Sequence, residues 1–461
     1  MNRKTVFVCR ECGNESSKWL GKCPACLTWN SMTEETNYFD SEFSKSIDGL
    51  KNNSESLSIY KLNEIAEDSD IRIDSGISEL NRVLGGGIVA GSIVLIGGSP
   101  GIGKSTLLLQ MCKTIDFSKN IVYISGEESK SQIKIRASRL KVDNQNISLI
   151  VETNIIKICD TLKKNKSNID VIIVDSVQTM YDGGISSSAG SISQIKEVTL
   201  KLMQLSRILN VAVLLVGHIT KDGSIAGPKV LEHMVDCVLL FQNENNGIYR
   251  VLRTIKNRFG STNEIGVFEM SEKGLIEVTN PSQLFLKDRS SQISGSSVVC
   301  CMEGTRPILA EIQALVTRTS LAIPRRTSSG IDNNKLFLLI AVLEKRLSLR
   351  LSLQEIYVNV AGGIRIFEPS ADLGIAVSIF SSLRDIVIPE EIVFIGEIGL
   401  GGEIRPVSLV ENRVREVQKL GFKKCVVPYA NRHEIKNIDS NLKTIELICI
   451  KNLFELVGIF N

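Results

Sequence analysis

Long hydrophobic runs are absent from this chain. The longest apolar stretch, Leu336 to Leu343, is far short of the roughly 20 residues that cross a bilayer, so no membrane association is expected. Charge of one sign is also scarce: 54 Lys and Arg face 51 Asp and Glu, for a formal net charge of +3. That balance neither demands nor excludes nucleic acid, and it requires any basic surface to be local. No apolar stretch follows the basic first residues. A secretion signal is therefore not expected, and a reducing cytoplasm is the expected setting. Tryptophan occurs only twice, as Trp19 and Trp29.

At 461 residues, 43% hydrophobic and 23% charged, the chain is too long for one core and reads as two or three globular domains. Seven of its eleven cysteines (Cys112, Cys159, Cys237, Cys300, Cys301, Cys425 and Cys449) sit mostly in apolar runs and read as small buried hydrophobes. The other four form Cys9-x-x-Cys12 and Cys23-x-x-Cys26. Each pair presents two thiolates to one ion. Two such knuckles close a tetrahedral Zn2+ site with no open position, which makes the site structural. Residues 1–33 are expected to be a four-cysteine zinc ribbon, folded by its metal and covered by the two tryptophans. Residues 34–70, rich in Asn, Ser, Asp and Glu, read as a linker.

Gly98-Ser99-Pro100-Gly101-Ile102-Gly103-Lys104-Ser105 completes a G-x-x-x-x-G-K-[ST] loop. Its glycines free the backbone to wrap N–H groups around a β-phosphate. Lys104 reaches the β- and γ-phosphates, and Ser105 holds Mg2+. Ile93 to Ile96 before the loop and Thr106 to Met111 after it supply the strand and helix that the motif requires. The site for ATP is thus expected to run from Gly98 through Thr106.

A second strand, Ile121 to Ser125, leads into Gly126-Glu127-Glu128. A carboxylate there can activate water for attack on the γ-phosphate, or simply complement a helix N-terminus. A third strand, Val171 to Asp175, ends on a carboxylate suited to the Mg2+ shell, and a fourth, Val211 to His218, on an imidazole able to sense the γ-phosphate. The Gly- and Ser-containing loops Tyr181 to Ser193 and Thr220 to Lys229 follow the last two strands. Open sheets bind ligands beyond their carboxyl ends. Mobile loops there, with Lys221 and Lys229, suit a nucleic-acid backbone if they are more than solvent loops. Lys256 and Arg258 stand on alternate residues. On a strand they share one face and can reach a neighbouring subunit's nucleotide.

Asp74-Ser75-Gly76-Ile77, Gly85-Gly86-Gly87, the phosphate loop, Gly126-Glu127-Glu128-Ser129, Val174-Asp175-Ser176 and Lys256-Asn257-Arg258-Phe259-Gly260 together resemble the bacterial RadA (Sms) family. The Lys-Asn-Arg-Phe-Gly run is a hallmark of that family, and the ribbon extends the resemblance to nearly the full length. It implies a RecA-like recombination ATPase over residues 71–290, an α/β core with a twisted, mostly parallel sheet. It also implies hexameric rings on single-stranded DNA, branch migration of recombination intermediates in DNA repair, and a recombinase partner. Glu127 falls at the RecA-type catalytic carboxylate, and Glu128 could share that role. Lys104, Asp175, Lys256 and Arg258 complete the implied catalytic set.

From about Ser294 the pattern changes. Gly362 to Arg365, Glu368 to Ala376 and Gly396 to Pro406 resemble the Lon-type protease domain, whose serine is activated by a lysine. In that register Asp372 stands at the serine position and Glu411 at the lysine position. Ser370 lies two residues off and has no basic partner in register. Residues 291–461 are expected to be an α+β Lon-protease-like domain without proteolysis, serving assembly and DNA contact through Arg318, Arg325, Arg326 and Lys335. Two rival readings fit less of the chain. A RecA-superfamily signalling ATPase lacks the ribbon and the Lon-like tail, and an ATP-dependent protease needs the missing dyad.

The cysteine spacing predicts one zinc per chain by elemental analysis of protein purified without chelator. Cys9→Ser is expected to abolish zinc retention while ATP binding persists. Zinc-free wild-type protein would refute the ribbon assignment.

Overall fold

The computed structural model describes residues 4–9, 14–25, 27–37, 72–165, 169–218, 229–244, 249–262, 264–286, 289, 293–319, 323–363, 365–436 and 445–460. The chain divides into two compact units, Met1–Gln242 with Arg250–Glu277, and Asn243–Tyr249 with Val278–Asn461.

Continuous apolar runs make the centre of the first unit. In chain order its main elements are β1 (Ile93–Gly98), α1 (Lys104–Thr114), β2 (Ile121–Ser125), α2 (Lys130–Arg139), β3 (Ile147–Val151) and α3 (Ile155–Lys164). They continue with β4 (Val171–Asp175), α4 (Ile192–Leu209), β5 (Ala212–His218), α5 (Lys229–Met234), β6 (Cys237–Glu244), β7 (Tyr249–Asn257), β8 (Ile265–Ser271) and β9 (Gly274–Glu277). The strands form one sheet in the order β9-β8-β7-β6-β1-β5-β4-β2-β3. From β6 to β3 every neighbour is parallel, whereas the edge pair β8–β9 is antiparallel.

Strand side chains alternate between faces, and here each face has its own core. Val94, Ile96, Tyr123, Ile173 and Leu214 pack with Leu107, Leu108 and Met111 of α1. Ile93, Leu95, Ile124, Val174 and Leu215 pack with Ile158 of α3 and with Val198 and Leu202 of α4. A sheet covered on both faces needs apolar residues at every position, which is why these strands are runs rather than alternations.

The ribbon is a three-stranded antiparallel sheet. Lys4–Cys9 lies between Glu15–Ser16 and Met32–Asn37, and the last of these runs past residue 33. Among the described residues of the ribbon, Cys9, Cys23 and Met32 are the buried hydrophobic ones, with Phe7 packed against them, and Ser31 is buried beside them. The tryptophans do not cover it as expected: Trp19 is 55% and Trp29 69% exposed. So small a module encloses little volume.

The second unit holds β10 (Ser296–Glu303), β11 (Arg306–Arg318), β12 (Arg326–Ser329), α6 (Asn333–Leu347), β13 (Gln354–Val360) and α7 (Asp372–Arg384). β14 (Ile392–Phe394), α8 (Val410–Lys419), β15 (Lys424–Pro428) and β16 (Glu446–Ile450) follow. Its sheet runs β12-β13-β11-β10-β14-β15-β16 and mixes antiparallel with parallel pairs. Two cores again flank the sheet, one formed with α6 and α7 and the other with α8.

The positions expected at a protease dyad are occupied by ion pairs. Asp372 is buried, and its carboxylate lies 2.8 Å from the Lys335 ammonium. Burial nonetheless pushes the Asp372 carboxyl up to about 6. Glu411 is paired with Arg415 one turn along α8. Ser370 meets a cation from outside that register: Arg413 Nη1 donates to its Oγ at 3.0 Å. A guanidinium stays protonated, so Arg413 cannot accept the serine proton as a lysine base would. Arg413 is fully buried. It donates to Ser408 O at 2.9 Å, to Cys300 O at 2.8 Å and to the Glu368 carboxylate. Among the described residues no helix is long and apolar enough to cross a membrane. Six of the seven scattered cysteines are buried and Cys449 is half-buried.

Arg413→Met removes one partner of a buried pair and is expected to cost about 3–5 kcal/mol, because the Glu368 charge loses its counterion. Urea unfolding followed by circular dichroism measures this. Adding Glu368→Leu should recover part of the loss.

Candidate functional site

Parallel strands deliver their carboxyl ends to one edge, and register fixes which residues meet there. His218 pairs with Gly98, and Ser125 with Asp175. The phosphate loop, the Gly126 turn, Asp175 and His218 therefore emerge side by side.

The loop turns into α1 through Gly103, whose φ of +118° favours glycine. Gly98 lies so close to Phe241 that a Cβ there would stand 2.9 Å from its Cβ. Gly101 is exposed, with φ +75° and open space beside it. An exposed glycine backbone leading into a helix N-terminus is a cradle for phosphate. Ser99, Pro100, Ile102, Ser105 and Thr106 complete the segment as expected from sequence.

Lys104 is buried. Its ammonium donates to Gly98 O at 2.8 Å and Ser99 O at 3.0 Å, and lies 3.3 Å from His218 Nδ1. Burial lowers the lysine pKa, against the pull of Asp175 and Glu127. The other imidazole nitrogen, Nε2, lies 3.1 Å from Glu127 Oε1. Ser176 also donates to that carboxylate. Burial alone would raise the Glu127 pKa, but the Ser176 and His218 hydrogen bonds and the Lys104 charge hold it below the usual carboxylate range. A continuous polar chain thus joins Lys104, His218 and Glu127.

Glu128 points elsewhere. It pairs with Arg136 of α2, while its N–H donates to Ser125 Oγ at 3.0 Å. Ser129 and Gln132 form a capping box that starts α2 immediately after it. The turn at Gly126 is tight: a Cβ there would stand 2.1 Å from Thr179 Oγ1. Glu127 and Glu128 are therefore splayed, and only Glu127 faces the phosphate-loop lysine. Asp175 accepts a hydrogen bond from Tyr123 OH at 2.6 Å. With the Ser105 hydroxyl it offers the hard oxygen donors that suit Mg2+.

Lys256 lies near the end of β7, and Arg258 just beyond it. Lys256 Nζ donates to the carbonyls of Glu232, His233 and Val235 at 2.7, 3.2 and 2.8 Å, around the carboxyl end of α5. Burial and the neighbouring Arg258 lower its pKa. Arg258 pairs with Asp236 at 3.1 Å. Both cations are thus engaged within their own chain.

The loop Tyr181 to Ser193 is anchored rather than loose. Gln194 is buried and donates to the carbonyls of Asp182, Ile185 and Ser187 at 3.1, 3.2 and 2.9 Å, and the Asp182 carboxylate pairs with Lys201. Lys221 lies outside the described residues, and of Lys229 only the backbone, at the start of α5, is described. Of the cations expected to touch DNA in the second unit, Arg318 and Arg325 are exposed, Arg326 is half-buried and Lys335 is committed to Asp372.

In the ribbon, the Cys9 N–H donates to Asn14 O at 2.9 Å and the Cys23 N–H to Thr28 O at 3.0 Å. Each knuckle closes at the same spacing, and both thiols enter one small core, as soft-ligand binding of zinc requires. Cys12 and Cys26 lie outside the described residues.

Tyr123, Arg136 and Gln194 were not legible as site residues. Tyr123 sits in an apolar strand and Arg136 in an exposed helix, so only the fold brings them to Asp175 and Glu128.

Residues 61–224 match the AAA domain family, residues 7–34 the rubredoxin metal binding domain, and residues 339–431 the subunit ChlI of Mg-chelatase. The chain is 51% identical to DNA repair protein RadA of Halalkalibacterium halodurans and 49% identical to that of Listeria monocytogenes, each over 93% of both chains. It is 48% identical to DNA repair protein RadA of Bacillus subtilis over 98% of this chain and 97% of the other.

The splayed carboxylates yield a discriminating pair. Glu127→Gln is expected to lower ATP turnover by roughly 10²–10⁴-fold, the usual loss of a general base, with nucleotide binding retained. Glu128→Gln should change turnover several-fold at most. Steady-state hydrolysis and fluorescent-nucleotide binding measure both.

Proposed function

The chain belongs to the DNA repair protein RadA family, and from that membership we propose that it is an ATP-driven motor that promotes branch migration of recombination intermediates. An ATPase role in DNA repair and recombination is common ground for the family. The finer reading rests chiefly on the polar chain from Lys104 through His218 to Glu127. It links the group that would meet the γ-phosphate to the carboxylate that would activate the attacking water.

When ATP enters, Lys104 exchanges the carbonyls of Gly98 and Ser99 for phosphate oxygens. Its loss from His218 is felt at Glu127, which orients the attacking water. Ser105 and Asp175 would hold Mg2+, which supplies charge neutralisation at the phosphates. His218 is the last residue of β5, and the segment expected to contact DNA begins two residues later, at Thr220.

Head-to-tail assembly into a hexameric ring would let Lys256 and Arg258 approach the next subunit's nucleotide. To do so they must first exchange the carbonyls at the end of α5 and Asp236 for phosphate. Single-stranded DNA would pass through the centre, tracked by the two loops, with a recombinase as partner. The ribbon would be held by Zn2+ on Cys9, Cys12, Cys23 and Cys26.

Three-strand branch migration and DNA-stimulated ATPase assays test the reading. Neutralising Lys221 and Lys229 together should weaken single-strand binding for all sequences alike. It should also reduce the slope of log affinity against log salt by roughly 1.4, about 0.7 per phosphate contact. Basal hydrolysis should persist while stimulation and branch migration fall. An unchanged slope would move the DNA path away from these loops.

A further inference from the structure

The chain's only tryptophans sit together on the surface of the ribbon. The Asn30 N–H donates to Gly21 O at 2.8 Å, and Lys22 bridges to Trp29, so a short turn returns Trp29 beside Trp19. Both rings lean over Gly21. A Cβ there would stand 3.6 Å from Trp19 Cη2 and 3.8 Å from Trp29 Cζ3. The Lys22 ammonium lies 5.6 Å from the Trp29 ring centre, and Lys18 is exposed next to Trp19.

Leaving two indoles in water costs hydrophobic free energy that burial would recover. The ribbon's core does not use them: its buried hydrophobic residues, among those described, are Cys9, Cys23 and Met32. Exposed aromatic rings beside lysines, one of which lies over the Trp29 ring, match one ligand chemistry closely. Bases stack on aromatic rings whatever their sequence, and phosphates meet the cations. Duplex DNA hides its base faces, so the match is to a single strand.

We propose that Trp19 and Trp29 form a stacking platform for the bases of single-stranded DNA, with Lys18 and Lys22 meeting its phosphates. This DNA contact is separate from the loops at the sheet edge, and it rests on the reading of the protein as a DNA motor.

Because no other tryptophan exists in the chain, intrinsic indole fluorescence reports on this surface alone. Full-length protein is titrated with an oligothymidylate, and binding is followed in parallel by anisotropy of an end-labelled copy. Quenching that saturates with the anisotropy curve, and is much weaker with duplex of equal length, is the expected result. Trp19→Ala and Trp29→Ala should each weaken single-strand binding, by roughly 5- to 150-fold for a stacked base. Basal ATPase should not change. Zinc content checks that the ribbon remains folded, and Trp19→Phe and Trp29→Phe, which keep a ring, should retain most of the affinity.

Normal binding by anisotropy without quenching would overturn the platform and leave the motor reading standing. No binding by anisotropy would overturn both. A spectral change produced by a recombinase but not by DNA would show that the surface docks protein instead.

Discussion

Burial of a parallel sheet on both faces is the constraint from which the nucleotide site follows. Alternate residues of β1, β2, β4 and β5 enter two different cores. A slip of one residue would exchange every side chain between them. Register is therefore fixed along the length of each strand, and so is the place where each strand ends. Gly98, Ser125, Asp175 and His218 become neighbours because the apolar residues before them cannot sit otherwise.

The polar groups gathered at that edge satisfy one another. A buried lysine without partners is costly, and here two backbone carbonyls and an imidazole accept its hydrogen bonds. The same imidazole and the Ser176 hydroxyl serve Glu127. Lys104, His218 and Glu127 are thereby joined in one chain of contacts. The Lys256 and Arg258 contacts around α5 follow the same logic. Lys256 is held by three backbone carbonyls and Arg258 by Asp236.

In the second unit the protease-like architecture carries different polar chemistry. Asp372 pairs with Lys335, while Arg413 and Glu368, themselves paired, both contact Ser370. The Arg413 guanidinium cannot accept the Ser370 proton, and the Glu368 carboxylate that takes the Ser370 hydrogen bond at 2.8 Å is paired with that same guanidinium. The two positions of the implied dyad, Asp372 and Glu411, each pair with a cation. Buried pairs favour one arrangement of the elements that bear them, because separating either partner leaves a charge uncompensated.

Local pattern was enough to read the phosphate loop, the apolar strands, the two cysteine knuckles and the change of character near Ser294. Each of these is a property of consecutive or closely spaced residues. Glycine spacing sets a backbone path, apolar runs mark strands covered on both faces, and paired thiols mark a metal. Sequence could not separate Glu127 from Glu128, because adjacent carboxylates look alike until a tight turn at Gly126 and a capped helix aim them apart. Nor could it show Tyr123 on Asp175, Arg413 on Ser370 or Gln194 pinning a loop, since each contact joins groups on different elements. The tryptophans were assigned to a core for the same reason. Whether a large apolar ring is buried depends on the volume the rest of the module encloses, and only the folded ribbon determines that volume.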